Sequence, residues 1–294
     1  MKKVFPIIAM ILLAWPASAA DVNETLDADP DGLVEIFNTA GSVEVEGWSR
    51  NSVEVTGTLG NEVEDFIFER DGDEITVKVK AKSGRSGHKG FVTHLVLRIP
   101  ENSSIEVATI SADIDVKGIY GEIEAHAISG DVDLETFAAD VEVESVSGDI
   151  DAQGDGKNAV TELLSVSGDV SAEQLAGEVG LESVSGDVAL SGGSFDEANL
   201  ETVNGDIVFQ ATLRKGGDVY IETVNGTVDA DFIGDVSAEF EIETFNGRIR
   251  NCFGPKPERV SKYAPGYELH FTEGKGDGSV SIATLNGDLN LCKK

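Results

Sequence analysis

Apolar and polar residues alternate along most of this chain with a period of two. VEVESV at Val141–Val146 is followed, across a glycine, by DIDA at Asp149–Ala152. LETV at Leu200–Val203 leads in the same way to DIVF at Asp206–Phe209, and YIETV at Tyr220–Val224 leads to TVDADF at Thr227–Phe232. Strict alternation with β-branched residues predicts strands, two short ones per unit with a turn between them. Pro100 and Pro255 have no proline between them. A long hydrogen-bond ladder needs that absence, because proline removes a donor.

The units are copies of one another. The turn reads AISGDV at Ala127–Val132, SVSGDI at Ser145–Ile150, SVSGDV at Ser165–Val170 and again at Ser183–Val188, and TVNGDI at Thr202–Ile207. TVNGTV (Thr223–Val228), TFNGRI (Thr244–Ile249) and TLNGDL (Thr284–Leu289) continue it, and TISADI at Thr109–Ile114 is a degenerate forerunner. The turn glycines stand at 130, 148, 168, 186, 205, 226, 247 and 287. All but the last are 18 to 21 residues apart; the last gap is 40, about two periods, with Gly266 in its middle. A fixed period of this size marks a repeat architecture.

Asn-Gly and Ser-Gly between strands would also suit an antiparallel meander. Column identity favours a stack, because coils of a solenoid place equivalent residues directly above one another, about 4.8 Å apart. The expected fold is therefore all-β: a single-stranded parallel β-solenoid, or β-helix, with coils of 18–21 residues. Its inward columns would be Val132, Ile150, Val170, Val188, Ile207, Val228, Ile249 and Leu289, then Leu134, Ala152, Ala172, Leu190, Phe209, Ala230 and Leu291. The apolar residue inside the motif (Ile128, Val146, Val166, Val184, Val203, Val224, Phe245, Leu285) is read as a further core column. Ser147, Ser167, Ser185, Asn204, Asn225, Asn246 and Asn286 would form a hydrogen-bonding ladder at a corner, and glycine would permit a positive φ there.

Three segments follow. Residues 1–20 read as a secretory signal peptide: Lys2 and Lys3, an apolar run Val4–Leu13, and the small-residue site Ala17-Ser18-Ala19. The run is too short to span a bilayer, and no cysteine follows it to carry a lipid anchor. Residues 21–108 read as a less regular β region capping the solenoid. It includes a weaker motif around Gly41 and a basic glycine-rich loop, KSGRSGHKG (Lys82–Gly90), with Arg85, His88 and Lys89. Residues 109–294 read as the repeat solenoid, continuous with that cap.

Cys252 and Cys292 are the only cysteines, each five residues after a motif glycine, so they occupy equivalent columns. In an exported chain they are expected to form one disulfide. A disulfide needs Cα atoms within about 7 Å, which one coil step allows and two do not. Residues 253–283 should then contribute only one coil, with an excursion through Pro255, Pro257 and Pro265, and the bridge would pin the last coil.

Charge narrows the partners. With 54 acidic and 22 basic residues the net charge is −32, which repels nucleic acid and anionic lipid. Asp131, Asp149, Asp169, Asp187 and Asp206 would stack as a carboxylate ladder, and Glu144, Glu182, Glu201, Glu222 and Glu243 as a second. Neighbouring carboxylates about 5 Å apart repel by roughly 0.8 kcal/mol in bulk water, which Ca²⁺ could relieve. The Asp column is thus a candidate metal face, set against a solvated acidic face that keeps a β-protein soluble. No Ca²⁺-binding nonapeptide or EF-hand pattern occurs.

No catalytic residue is proposed. A uniform carboxylate ladder lacks the asymmetric environments that split an acid from a base. The histidines (His88, His94, His126, His270) lack metal-ligand spacing.

The VSGDV and TVNGDI turns, the leader and the closing NGDLNLC segment resemble the bacterial putative-adhesin family over Leu33 to Cys292. That resemblance implies an exported β-solenoid without family active-site residues. The expectation is a non-catalytic envelope protein, periplasmic or at the cell surface, that binds a protein or glycan or acts as a scaffold. No membrane insertion of the mature chain is expected. A polysaccharide-acting β-helix enzyme and a Ca²⁺-binding structural protein are the alternatives.

Overall fold

A computed structural model describes residues 20–81, 91–137, 139–262 and 265–294. The expected leader (but for Ala20) and the basic loop with Arg85, His88 and Lys89 lie outside these residues. The described chain is all β, built largely from parallel pairs. Each coil of the repeat has two arms that meet at the Gly-Asp corner, as in Val141–Ser147 and Ile150–Gly154. Equivalent residues stack in register: Val143 on Leu163, Leu163 on Leu181, Ile150 on Val170 and Val170 on Val188. The meander alternative is thereby excluded for the repeat.

Both inward columns of the second arm are buried, from Val132 and Leu134 through to Leu289 and Leu291. Each Val, Leu, Ile or Phe among them contributes about 1.5–3 kcal/mol relative to exposure. Aromatic rings fill the core towards the C-terminal end. Phe209 packs on Phe232 at 5.0 Å, Phe232 on Phe240 at 5.6 Å, and Phe240 stacks on Phe271 at 4.5 Å.

The order of coils in space departs from the order in sequence at both ends. Leu33–Trp48 is not outermost. It lies between Ser104–Ile119 on one edge and the pair Glu74–Ala81 and Thr93–Pro100 on the other. At the far end Gly278–Asn286 pairs with both Ile207–Asn225 and Ala238–Asn246. The last coil in sequence is thus the penultimate coil in space, and the coil before it is outermost. Ser104–Ile119 spans residues 108 and 109, on either side of the boundary read from the sequence, and pairs in register with Leu33–Trp48.

Antiparallel strands cover the two open edges. Ser52–Leu59 pairs with Thr93–Pro100, and Val63–Asp71 with Glu74–Ala81. Tyr267–Glu273 pairs with Ala238–Asn246. Exposed edges would otherwise template pairing with other chains. Cys252 and Cys292 form a disulfide, with Cα atoms 4.8 Å apart.

Candidate functional site: an exposed apolar ridge along the corner

The corner is assembled from five positions with distinct jobs. Counting alternation forward from Val141 and Val143 points residue 145 inward, so the motif begins with a buried hydroxyl. That hydroxyl caps a backbone carbonyl of the neighbouring coil. Ser183 Oγ donates to Gly168 O at 2.9 Å, Thr202 Oγ1 to Gly186 O at 3.0 Å and Thr223 Oγ1 to Gly205 O at 3.1 Å. Ser145 Oγ has no such partner among the described residues.

The third position forms the expected ladder only in the Asn coils; among the described residues Ser147, Ser167 and Ser185 make no such side-chain bond. Asn225 Nδ2 donates to Asn204 Oδ1, Asn286 Nδ2 to Asn225 Oδ1 and Asn246 Nδ2 to Asn286 Oδ1, each at 2.9 Å. This head-to-tail chain of amides polarises along its length.

Glycine follows because nothing larger fits. A Cβ on Gly186 would lie 2.0 Å from Gly168 O, and one on Gly226 would lie 1.8 Å from Gly205 O. Of the eight motif glycines only Gly130 and Gly148 have φ in the left-handed region, at 134° and 150°. Close approach of stacked backbones, more than a positive φ, is what selects glycine; this corrects the conformational reason expected from sequence.

The motif Asp turns its carboxylate along the stack. Asp149 Oδ1 accepts the Asp169 N–H at 2.8 Å, Asp169 Oδ1 that of Asp187 at 2.8 Å, and Asp187 Oδ1 that of Asp206 at 2.7 Å. Asp131 Oδ1 accepts the Asp149 N–H at 3.1 Å, and Asp206 Oδ1 accepts the Thr227 N–H at 2.7 Å. One oxygen of each candidate metal ligand is therefore engaged in holding the next corner.

The remaining position overturns an expectation. Ile128, Val146, Val166, Val184, Val203, Phe245 and Leu285 are not core residues; together with Ile110 they are 40–51 % exposed, with Val224 half-buried. Because the hydroxyl before them points in, alternation points them out. The flanking registers stack them in the order Ile110, Ile128, Val146, Val166, Val184, Val203, Val224, Leu285, Phe245. At about 4.8 Å per step the ridge is roughly 38 Å long. Contiguous exposed apolar surface of this kind marks interaction sites.

Grooves flank the ridge at either end. One, of about 560 Å³, is lined by Phe37, Ala108, Ile110, Ile128, Val146, Leu164 and Val166, among others. The other, of about 500 Å³, lies between Val224, Phe245, Leu285 and the segment carrying Val260, Pro265 and Tyr267. The Glu column runs beside the ridge, with Leu164 and Ala283 interrupting it.

Burial, with Glu201 and Glu162 beside it, raises the Glu182 pKa. His126 lies between Glu124, at 2.8 Å, and Glu144, at 3.4 Å. Burial disfavours its imidazolium, but these carboxylates outweigh that and hold its pKa above the ordinary value. On the second arm, burial and the neighbouring Asp151 and Asp115 raise the Asp133 pKa.

No helix among the described residues is long and apolar enough to cross a membrane. The model of the family described as Toastrack DUF4097 matches residues 34–292. Among solved structures, a putative cell adhesion protein from Clostridium sporogenes is 13% identical, with 94% of this chain and 100% of that chain covered and a TM-score of 0.29. A putative adhesin from Bacteroides fragilis is 10% identical, with 94% and 99% covered and a TM-score of 0.35. A putative lipid binding protein from Parabacteroides distasonis is 13% identical, with 92% and 96% covered and a TM-score of 0.32. No curated protein matches the chain.

Proposed function

The chain belongs to the Toastrack DUF4097 family, and from that premise we propose that it is a non-catalytic, adhesin-like protein of the cell envelope that binds a protein partner along the corner ridge. The observation that carries this reading is the ridge itself. Eight stacked apolar side chains, from Ile110 to Phe245, are held out to solvent by a motif that could have placed polar residues there at no cost to the core. Aliphatic side chains suit a protein surface better than a glycan, which offers hydroxyls that such a ridge cannot satisfy. The adjoining Glu column favours a partner with basic residues beside its apolar stripe. Export is supported by the leader-like start and by the Cys252–Cys292 disulfide, which suits an oxidising compartment.

The test compares the exported protein with a Val166→Asp/Val184→Asp variant in capture from envelope extracts, with bound proteins identified by mass spectrometry. A partner recovered by the wild type, lost with the variant and weakened by salt is the expected result. Identical recovery by both would remove the ridge from the interface.

A further inference from the structure

We propose that Glu241, Glu243 and His270 form a binding site for Zn²⁺ or a similar transition-metal ion on the outermost coil. Ala238–Asn246 and Tyr267–Glu273 pair antiparallel, which sets Glu241 opposite His270 and Glu243 opposite Glu268. Glu241 and Glu243 are two residues apart on one strand and so share a face. One ligand atom from each of Glu241, Glu243 and His270 lies within 4.8 Å of the other two. Among the described residues this is the only group of three or more His, Cys, Asp or Glu side chains gathered so closely.

The donors are also unspent. Beyond the backbone ladder that joins their strands, none of the three side chains makes a hydrogen bond or ion pair among the described residues. His126, the other histidine among carboxylates, commits both ring nitrogens to Glu124 and Glu144. An imidazole nitrogen with two carboxylate oxygens is a Zn²⁺ donor set, with bonds of about 2.0–2.2 Å; Ca²⁺ and Mg²⁺ prefer oxygen alone. Rotamer adjustment of exposed side chains closes the remaining distance. Glu268, beside His270 on the same strand face, or a water would complete a tetrahedron.

The site has a structural consequence. Its ligands come from two different elements, the outermost coil and the antiparallel strand that covers its edge. A bound ion would tie that strand down, as the Cys252–Cys292 bridge ties the other arm of the same coil to its neighbour. Behind the site Phe240 and Phe271 already stack at 4.5 Å, so the two strands present the ligands from a firm base.

Calorimetric titration of the disulfide-bonded protein with ZnCl₂ tests this, with Co²⁺ absorption as a second readout. One equivalent should bind, and the Co²⁺ complex should show the intense visible bands of a tetrahedral N/O site. His270→Ala and, separately, Glu241→Gln should weaken binding at least tenfold, while His126→Ala leaves it unchanged. Zn²⁺ should slow amide exchange in residues 267–273. Since His270 and Glu241 are exposed, circular dichroism should match the wild type. Failure to bind Zn²⁺, or equal binding by His270→Ala, would overturn the site and assign any uptake to the diffuse acidic surface.

Discussion

Cys252 and Cys292 are joined across a single coil step, yet the coil that carries Cys292 is last in sequence and lies inside the coil that carries Cys252. The final segment of the chain inserts between Ile207–Asn225 with Val228–Phe232 on one side and Ala238–Asn246 with Ile249–Asn251 on the other. The bridge holds that insertion in place.

Removing the bridge should therefore loosen one end of the stack. The cysteines are 40 residues apart, and closing a loop of that size stabilises by about 4 kcal/mol in the chain-entropy account. A Cys252→Ser/Cys292→Ser variant should lose roughly that much in urea denaturation. Hydrogen exchange should rise first in residues 238–251 and 278–293. A uniform rise over all coils would contradict a local clamp.

Glycines should divide by mechanism. Gly186→Ala drives a methyl to 2.0 Å from a backbone oxygen that cannot retreat without parting the coils, and should cost more than about 3 kcal/mol. Gly156 has φ +77° but open space around its Cβ position. Gly156→Ala should cost only about 1–2 kcal/mol, the strain of the left-handed backbone. Comparable losses in denaturant melts would mean that stacking is not what selects the motif glycine.

The Asp column should respond to acceptor loss and not to charge loss. Asp169→Asn keeps an oxygen for the Asp187 N–H and removes a like-charge neighbour. It should be neutral or slightly stabilising in thermal melts. Asp169→Ala leaves that N–H to water and should cost about 1 kcal/mol. If Asn proves as harmful as Ala, the carboxylate charge has another use.

Ridge and core valines should separate cleanly despite identical chemistry. Val184 is exposed and Val188, four residues later, is fully buried. Val184→Ser should change stability by no more than about 0.5 kcal/mol, whereas Val188→Ala should cost about 2 kcal/mol. Denaturation curves of the two variants check this.

The carboxylates of Asp133 and Glu182 should make the protein more stable in mild acid. Both have folded-state pKa values raised above their ordinary 3.8 and 4.5, first by burial and then by neighbouring acids. The folded state then binds protons more tightly than the unfolded chain. The stability they contribute is full below the unfolded pKa and is lost as pH rises through the folded one. The thermal midpoint should rise as pH is lowered from 7 towards 5, with His126, whose pKa is also raised, adding to the rise. Asp155, whose pKa Lys157 lowers, opposes this in the more acid range. An Asp133→Asn/Glu182→Gln variant should melt higher at pH 7 and show a flatter rise; a wild-type midpoint that falls over that window would refute the assignment.

Much of this was legible in the chain because it is local. The period-two pattern identifies strands, the repeated SGD and NGD turns identify corners, and like residues at like positions identify the second-arm core columns and the Asn ladder. The equivalence of Cys252 and Cys292 could also be read directly. The outward ridge was legible in principle, since alternation from Val143 places Ser145 inside and Val146 outside. An apolar residue within a motif nevertheless reads as core until the inward hydroxyl is given its carbonyl partner.

Other features only the tertiary structure decided. Coils that carry the same pattern present the same hydrogen-bond edge, so the pattern specifies that they stack and leaves open in which order. That the last coil slips inside its predecessor, and that Leu33–Trp48 lies inside Glu74–Ala81 and Thr93–Pro100, follows from long-range pairing. The same holds for His270, 27 residues beyond Glu243 in sequence. It reaches Glu241 and Glu243 only because an antiparallel strand folds back over the open edge of the outermost coil.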